Sequence, residues 1–287
     1  MRIPPAPPVA LVLTGIGSVQ FGAALATTLF DELGPSGTTL LRLVFAAAIL
    51  VGLWRPDPRA YTSAQLRLAG LLGLVLGLMN LSFYLALDRL PLGVAVTIEF
   101  VGPLGVAVAT SRRRTDLAWA ALAAGGILLL ANPGGSSIDP LGLAFILLAA
   151  ACWAAYILLS QRAGPSFEGG RGLALAMVVA VLVPLVPGVI GGGGALLNPR
   201  LLVLAAGVGV LSSVIPYSLE FEALRRMPAN VFGVLMSLEP GVAALAGFLV
   251  LGQALGPREL AAIALVVAAS VGVTRAASRA DGLPVNS

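Results

Sequence analysis

Pro91 to Thr110 reads PLGVAVTIEFVGPLGVAVAT, twenty residues of apolar sequence with a carboxylate, Glu99, within two positions of its midpoint. At about 1.5 Å of rise per residue, a helix of that length crosses the hydrocarbon core of a bilayer. Placing an acid at that depth costs about 3 kcal/mol, so a functional role is the default reading. The stretch also has a counterpart. From Pro228 to Leu251 the chain reads PANVFGVLMSLEPGVAALAGFLVL, again opened by a proline and again carrying a central glutamate, Glu239, with Pro240 beside it. Pro91 and Pro103 are twelve apart, as are Pro228 and Pro240, so the segments superpose at an offset of 137 residues. A chain that repeats such a segment is built as two related halves.

The surroundings are those of a membrane protein. Of 287 residues 58% are hydrophobic and 10% charged, and the mean hydropathy is +0.99, too little polar surface for a soluble protein of this size. All 17 basic residues are arginine, there is no lysine or histidine, and Cys152 is the single cysteine. That excludes a histidine-based triad, a His or Cys metal site, a Schiff-base lysine and an internal disulfide. No cofactor or metal is expected. Proton chemistry inside the bilayer would have to run on carboxylates. The net charge of +4 is read as arginines facing an anionic leaflet, not as a nucleic-acid footprint.

Apolar periodicity predicts ten spans: 9–29, 36–54, 66–87, 91–110, 116–131, 141–161, 172–190, 200–222, 228–251 and 259–274. Within the third, Gly70, Gly73 and Gly77 form a stripe that permits close helix approach. NPGGSSIDP, Asn132 to Pro140, is the expected joint, giving repeats over 1–133 and 134–275 and a disordered cytoplasmic tail over 276–287. With the N-terminus cytoplasmic, thirteen arginines fall in inside connections and three, Arg89, Arg200 and Arg258, outside. That bias predicts both termini inside. Five spans per half reverse the direction of the chain, so the second half is expected upside down relative to the first. The fold class is therefore all-α integral membrane: ten helices as two inverted five-helix repeats, an architecture of secondary transporters with the substrate site at the midplane.

Arg42, Glu99, Glu220 and Glu239 are the ionisable residues within the spans. Counting rise from each midpoint puts Glu99 and Glu239 within roughly 3 Å of the centre and Arg42 about 5 Å towards the outside. Glu220 falls roughly 13 Å towards the cytoplasm, as an interfacial anchor would. Arg42 and Glu99 share a depth. They are either a structural ion pair or the counter-charges for the two ends of a zwitterion. Glu99 and Glu239 are the candidate proton carriers, because an acid in a low-dielectric site can alternate between a proton and a cationic substrate group. Pro103 and Pro240 each remove a helical hydrogen bond near the centre, and such breaks line cavities or helix contacts. Gln20, Asn80, Tyr84, Trp153 and Tyr156 are candidate pocket residues, with Ser18 and Tyr217 as further polar neighbours. Asn80 and Tyr84, four apart, share a helix face.

Taken together, SVQFGAALATTLF (Ser18 to Phe30), PLGVAVTIEFVGPL (Pro91 to Leu104), SRR (Ser111 to Arg113), ACWAAYILLSQRAG (Ala151 to Gly164), PYSLEFEALRRMP (Pro216 to Pro228) and FGVLMSLEP (Phe232 to Pro240) carry a resemblance. The chain resembles the EamA-type members of the drug/metabolite transporter superfamily, and within it the bacterial threonine/homoserine exporters. The resemblance spans the chain apart from its tails. It implies a multi-pass inner-membrane protein, not an enzyme, that exports small amphiphilic solutes, commonly amino acids, coupled to inward proton movement. It leaves the cargo open: another metabolite or a drug, or uncoupled exchange, would suit the same fold. Outside transport, a lipid scramblase is the alternative, and it would require a polar groove facing lipid.

Overall fold

The computed structural model describes residues 7–110, 114–131, 138–163, 166–224 and 235–280. Those residues are helical throughout, apart from short connections, and contain no strand. The helices are α1 (Pro8–Thr27), α2 (Phe30–Trp54), α3 (Ser63–Leu87), α4 (Leu92–Glu99), α5 (Val101–Thr110), α6 (Arg114–Ala131), α7 (Pro140–Ala163), α8 (Arg171–Ala180), α9 (Leu182–Gly192), α10 (Pro199–Gly209), α11 (Ile215–Leu224), α12 (Glu239–Leu251) and α13 (Pro257–Ala280). Five stretches are long and apolar enough to cross a bilayer: Pro8–Thr27, Phe30–Trp54, Ser63–Leu87, Pro140–Ser160 and Pro199–Glu220. The pair α8 and α9 makes a sixth if its 42° bend lies within one span. Leu92–Val106 and Glu239–Leu251 are shorter apolar helices. The tail expected to be disordered from residue 276 is instead helical as far as Ala280, and 281–287 lie outside the described residues. Ser111 to Arg113 and Pro228 to Val234 lie outside them too.

Prolines set the breaks, each by the same physics. A proline has no N–H for the carbonyl four residues before it, and its ring crowds that carbonyl. Pro103 points back to Glu99, where α4 ends. Pro184 points back to Ala180, where α8 ends. Pro240 points back to Met236, after which the helix gives way to a turn at Ser237 and Leu238. Pro216 points back to Ser212, inside a π-helical turn, Val210–Val214, that joins α10 to α11. In α2 the break is a glycine's: Gly34, at φ 65°, parts the first turn from the span that Pro35 opens.

Lipid offers no hydrophobic drive between helices, so close packing of small residues carries the association. α3 packs on α7 and α8, α2 on α8, α9 and α10, α1 on α11 and α12, α4 on α12, α5 on α7, and α6 on α13. Of the predicted glycine stripe, Gly73 and Gly77 face α8 backbone at Ala176 and Ala180, whereas Gly70 meets nothing. Gly93 abuts Ala244 and Gly126 abuts Ala262, bringing α4 to α12 and α6 to α13.

Candidate functional site

Arg42 is the centre of the site. It lies midway along α2 and is 4% exposed. Its Nε donates to Ser213 Oγ at 3.2 Å and its Nη2 donates to the Ser212 carbonyl at 2.8 Å. The guanidinium carbon stands 5.1 Å from the centroid of the Tyr84 ring, within cation–π range. Both acceptors are neutral. The ion pairs among the described residues are Arg89–Asp139, Arg171–Glu168 and Arg200–Glu32, all between exposed side chains. The structural ion pair between Arg42 and Glu99 that matched depths allowed is not formed. Glu99 is buried within electrostatic range of Arg42 and takes no hydrogen bond among the described residues. The reason is local: Ser212 and Ser213 draw the guanidinium to the π-helical turn.

That turn is where sequence reasoning fell short. Ser212, Ser213 and Pro216 were not singled out, although two serines followed by a proline within an apolar span are the signal. In an α-helix the residue 216 N–H would bond the Ser212 carbonyl, and in a π-helix the Leu211 carbonyl. Proline has neither to give. The Leu211 carbonyl accepts from Ser18 Oγ at 2.6 Å, and the Ser212 carbonyl accepts from Arg42. Side chains from two other helices thus replace the missing backbone donor, which anchors α1 and α2 on α11.

Other predicted residues gather around this group. Tyr84 is fully buried against Phe30, at 5.6 Å between centroids, and next to Phe83. Asn80, buried one turn before it, donates to the Leu76 carbonyl at 2.8 Å and stands within side-chain hydrogen-bonding reach of Tyr217. Tyr217 in turn feels the charges of Arg42, Glu220 and Glu99, and its ring lies 6.4 Å from that of Tyr156. Trp153 packs edge-on against Phe100, the residue after Glu99, at 5.7 Å. Glu239, 4% exposed, opens α12 and stands within electrostatic range of Glu220 and Glu99. Glu220, expected as an interfacial anchor, is half-buried beside Gly15 and stands within electrostatic range of Tyr156 and Tyr217. Gln20 is buried on α1 and makes no bond to the Arg42 group.

Four buried side-chain oxygens have no hydrogen-bond partner among the described residues: Gln20 Oε1, Tyr84 Oη, Ser212 Oγ and Glu239 Oε2. An unpaired buried polar atom costs about 1–3 kcal/mol, and each needs a reason. Two of the four, on Tyr84 and Ser212, belong to residues that touch Arg42. No cluster of potential metal ligands occurs among the described residues.

Comparison with known proteins identifies the family. The threonine/homoserine exporter RhtA of Escherichia coli strain K12 is 40% identical over 284 residues, covering 97% of this chain and 96% of that one. The chain belongs to the EamA-like transporter family. Residues 140–275 match that family directly. The threonine/homoserine exporter RhtA of Salmonella typhimurium strain LT2 is also 40% identical, over 93% of this chain and 91% of its own. A solved crystal structure superposes with a TM-score of 0.62 over 95% of this chain and 99% of the other. At 19% identity it speaks for the fold alone. The chain is thus a multi-pass membrane protein of a family whose relatives are named as exporters.

Proposed function

We propose that this protein exports small amino acids of the threonine/homoserine kind across the inner membrane in exchange for protons. The observation that carries the reading is Arg42: a buried guanidinium oriented by two neutral acceptors, with the buried acid Glu99 within electrostatic range and no ion pair between them. A buried charge left without a counter-charge is expensive, and a ligand carboxylate would remove that cost. The ammonium end would go to Glu99. Glu239, the other central acid, would carry the proton. Tyr84, whose ring stacks on Arg42, and Ser212, whose carbonyl holds it, each also carry a buried unbonded oxygen, polar capacity that the remaining edge of such a solute could use.

Alternating access would come from ten spans in two inverted repeats, residues 1–133 and 134–275, with both termini cytoplasmic. The packing favours this division. If α1–α6 form one repeat and α7–α13 the other, the contact of α1 with α10–α11 has its counterpart in that of α3 with α7. The contacts of α1 with α12 and of α2 with α10 likewise pair with those of α7 with α4–α5 and of α8 with α3. Of the other contacts between halves, α2 with α8–α9, α4 with α12 and α6 with α13 map onto themselves, whereas those of α13 with α4 and α5 have no counterpart of similar extent among the described residues. Such exchange symmetry is what a pseudo-two-fold between repeats produces.

The test is uptake of a panel of labelled amino acids into proteoliposomes, with and without an imposed pH gradient. Saturable uptake of threonine and homoserine, stimulated by the gradient, is expected. Uptake of neither, with flux of an unrelated solute, would refute the substrate class. Flux indifferent to pH would refute the coupling.

A further inference from the structure

We infer that Pro216 and Ser213 are positioning residues that aim Arg42 at the carboxylate of the transported amino acid; this rests on the reading of Arg42 just given. The π-helical turn Val210–Val214 is a built cradle. Gly209 opens it: a Cβ there would stand 3.0 Å from the Arg42 carbonyl and 3.3 Å from Phe45 Cβ, so a side chain would press α10 away from α2 by a few tenths of an ångström at this level. One turn further, Ser213 Oγ receives Nε and the Ser212 carbonyl receives Nη2. Pro216 keeps that carbonyl available, because it is the residue whose N–H would otherwise claim it. Both acceptors are neutral, so they fix the guanidinium plane without cancelling its charge. An acid in the same place would hold Arg42 equally well and leave nothing for a substrate anion. The two bonds use two of the five N–H groups, and the rest of the fork stays available for a carboxylate.

Pro216→Ala restores the N–H. The α-helical bond to Ser212 can then close, and expelling the extra residue of the π turn rotates Ser213 by about 100° around the helix, away from Nε. The arginine keeps its charge but loses its aim. The measurement is labelled threonine uptake into proteoliposomes, with KM and Vmax determined separately. Pro216→Ala and Ser213→Ala are each expected to raise KM about tenfold with Vmax within about twofold, as for a lost charge-assisted hydrogen bond that orients a binding group. Ser213→Thr, which keeps the hydroxyl, is expected to restore KM. Replacing Pro216 by lactic acid through nonsense suppression gives a backbone ester that lacks both ring and N–H, and its KM is expected to match wild type.

Unchanged KM in either alanine variant overturns the role of that residue, as does a fall in Vmax at constant KM. An ester variant as impaired as Pro216→Ala would mean that the ring, not the missing donor, is what matters. If Pro216→Ala fails to insert, the ester variant alone decides for that residue by the same criterion. Arg42→Leu separates the two levels of argument. Wild-type KM in Arg42→Leu refutes the function proposed for Arg42, whereas an Arg42-dependent protein with silent 216 and 213 variants loses only the positioning device.

Discussion

Gly77→Ala tests how tightly the bundle depends on the proline-broken segments. Pro184 leaves the Ala180 carbonyl without its helical donor, and that carbonyl rests on Gly77 of α3. A methyl at position 77 would stand 2.6 Å from that oxygen and 2.6 Å from Val183 Cγ2, where ordinary contact begins near 3.4 Å. Neither neighbour can yield cheaply, since one is backbone and the other a β-branched side chain held on a kinked helix. The helices must part by a large fraction of an ångström, and overpacking of this kind costs about 1–3 kcal/mol. In a protein of this size that lowers the melting temperature by roughly 2–8 °C. Gly70→Ala is the internal control: nothing lies within 4 Å of its Cβ, so it should be neutral or gain slightly from helix propensity. Gly73 meets the same helix one turn earlier, so adding Gly73→Ala to Gly77→Ala should cost less than the two costs summed. The assay is thermal unfolding in one detergent, followed by threonine KM, because α3 also carries Asn80 and Tyr84. Equal melting temperatures for the 70 and 77 variants would refute the argument.

Two further outcomes follow from the site. Arg42→Leu, Glu99→Leu and the double variant should all insert and unfold within a few degrees of one another, and the double variant should not recover transport, because the two side chains do not hold each other; recovered liposome flux in the double variant would restore the structural ion pair. Glu239→Gln should abolish stimulation by a pH gradient while sparing downhill exchange, and Glu99→Gln should raise threonine KM. The reverse assignment, or wild-type behaviour in both, would show in the same flux assay.

How much of this was legible in the chain depends on what each feature rests on. Helix positions were readable because apolar length and flanking arginines report directly on the bilayer. The predicted spans 36–54 and 66–87 end at the residues where α2 and α3 end, Trp54 and Leu87. The break at Glu99 was readable from Pro103 for the same reason. Pairing was not. Arg42 and Glu99 share a depth, but depth along two helices does not say which faces meet, and the guanidinium turned to serines 170 and 171 residues away in the chain. Counting rise gave Glu220 a depth but not a direction, because a π turn upstream inserts a residue and turns every later side chain by about 100°, and its approach to Tyr156 and Tyr217 was therefore not legible. The glycine stripe shows the same limit. Three glycines on one face look equivalent as sequence, and only the neighbouring helix distinguishes Gly70 from the other two.

The prolines tie the site together. A carbonyl freed within the bilayer must find a partner, because no water is at hand to supply one. At Ala180 the answer is close approach of Gly77, a contact of backbone with backbone that only stabilises. At Ser212 the answer is Arg42, and the freed carbonyl helps to orient the guanidinium that we propose meets the substrate carboxylate. Glu99 combines the two halves of the logic: its own backbone carbonyl is the one that Pro103 cannot satisfy, and its carboxyl is unbonded among the described residues. Carbonyl and carboxylate are both acceptors, and together they suit a group with several N–H donors, as an ammonium has. Glu239 sits differently. It occupies the first turn of α12, where unsatisfied backbone N–H groups favour negative charge and offer a substrate ammonium nothing. That contrast in backbone surroundings is the reason for proposing Glu99 as the partner of the cargo's ammonium, which leaves Glu239, the other central acid, for the proton. It also fixes what would reverse the assignment: a Glu239→Gln protein with normal pH dependence and a raised threonine KM.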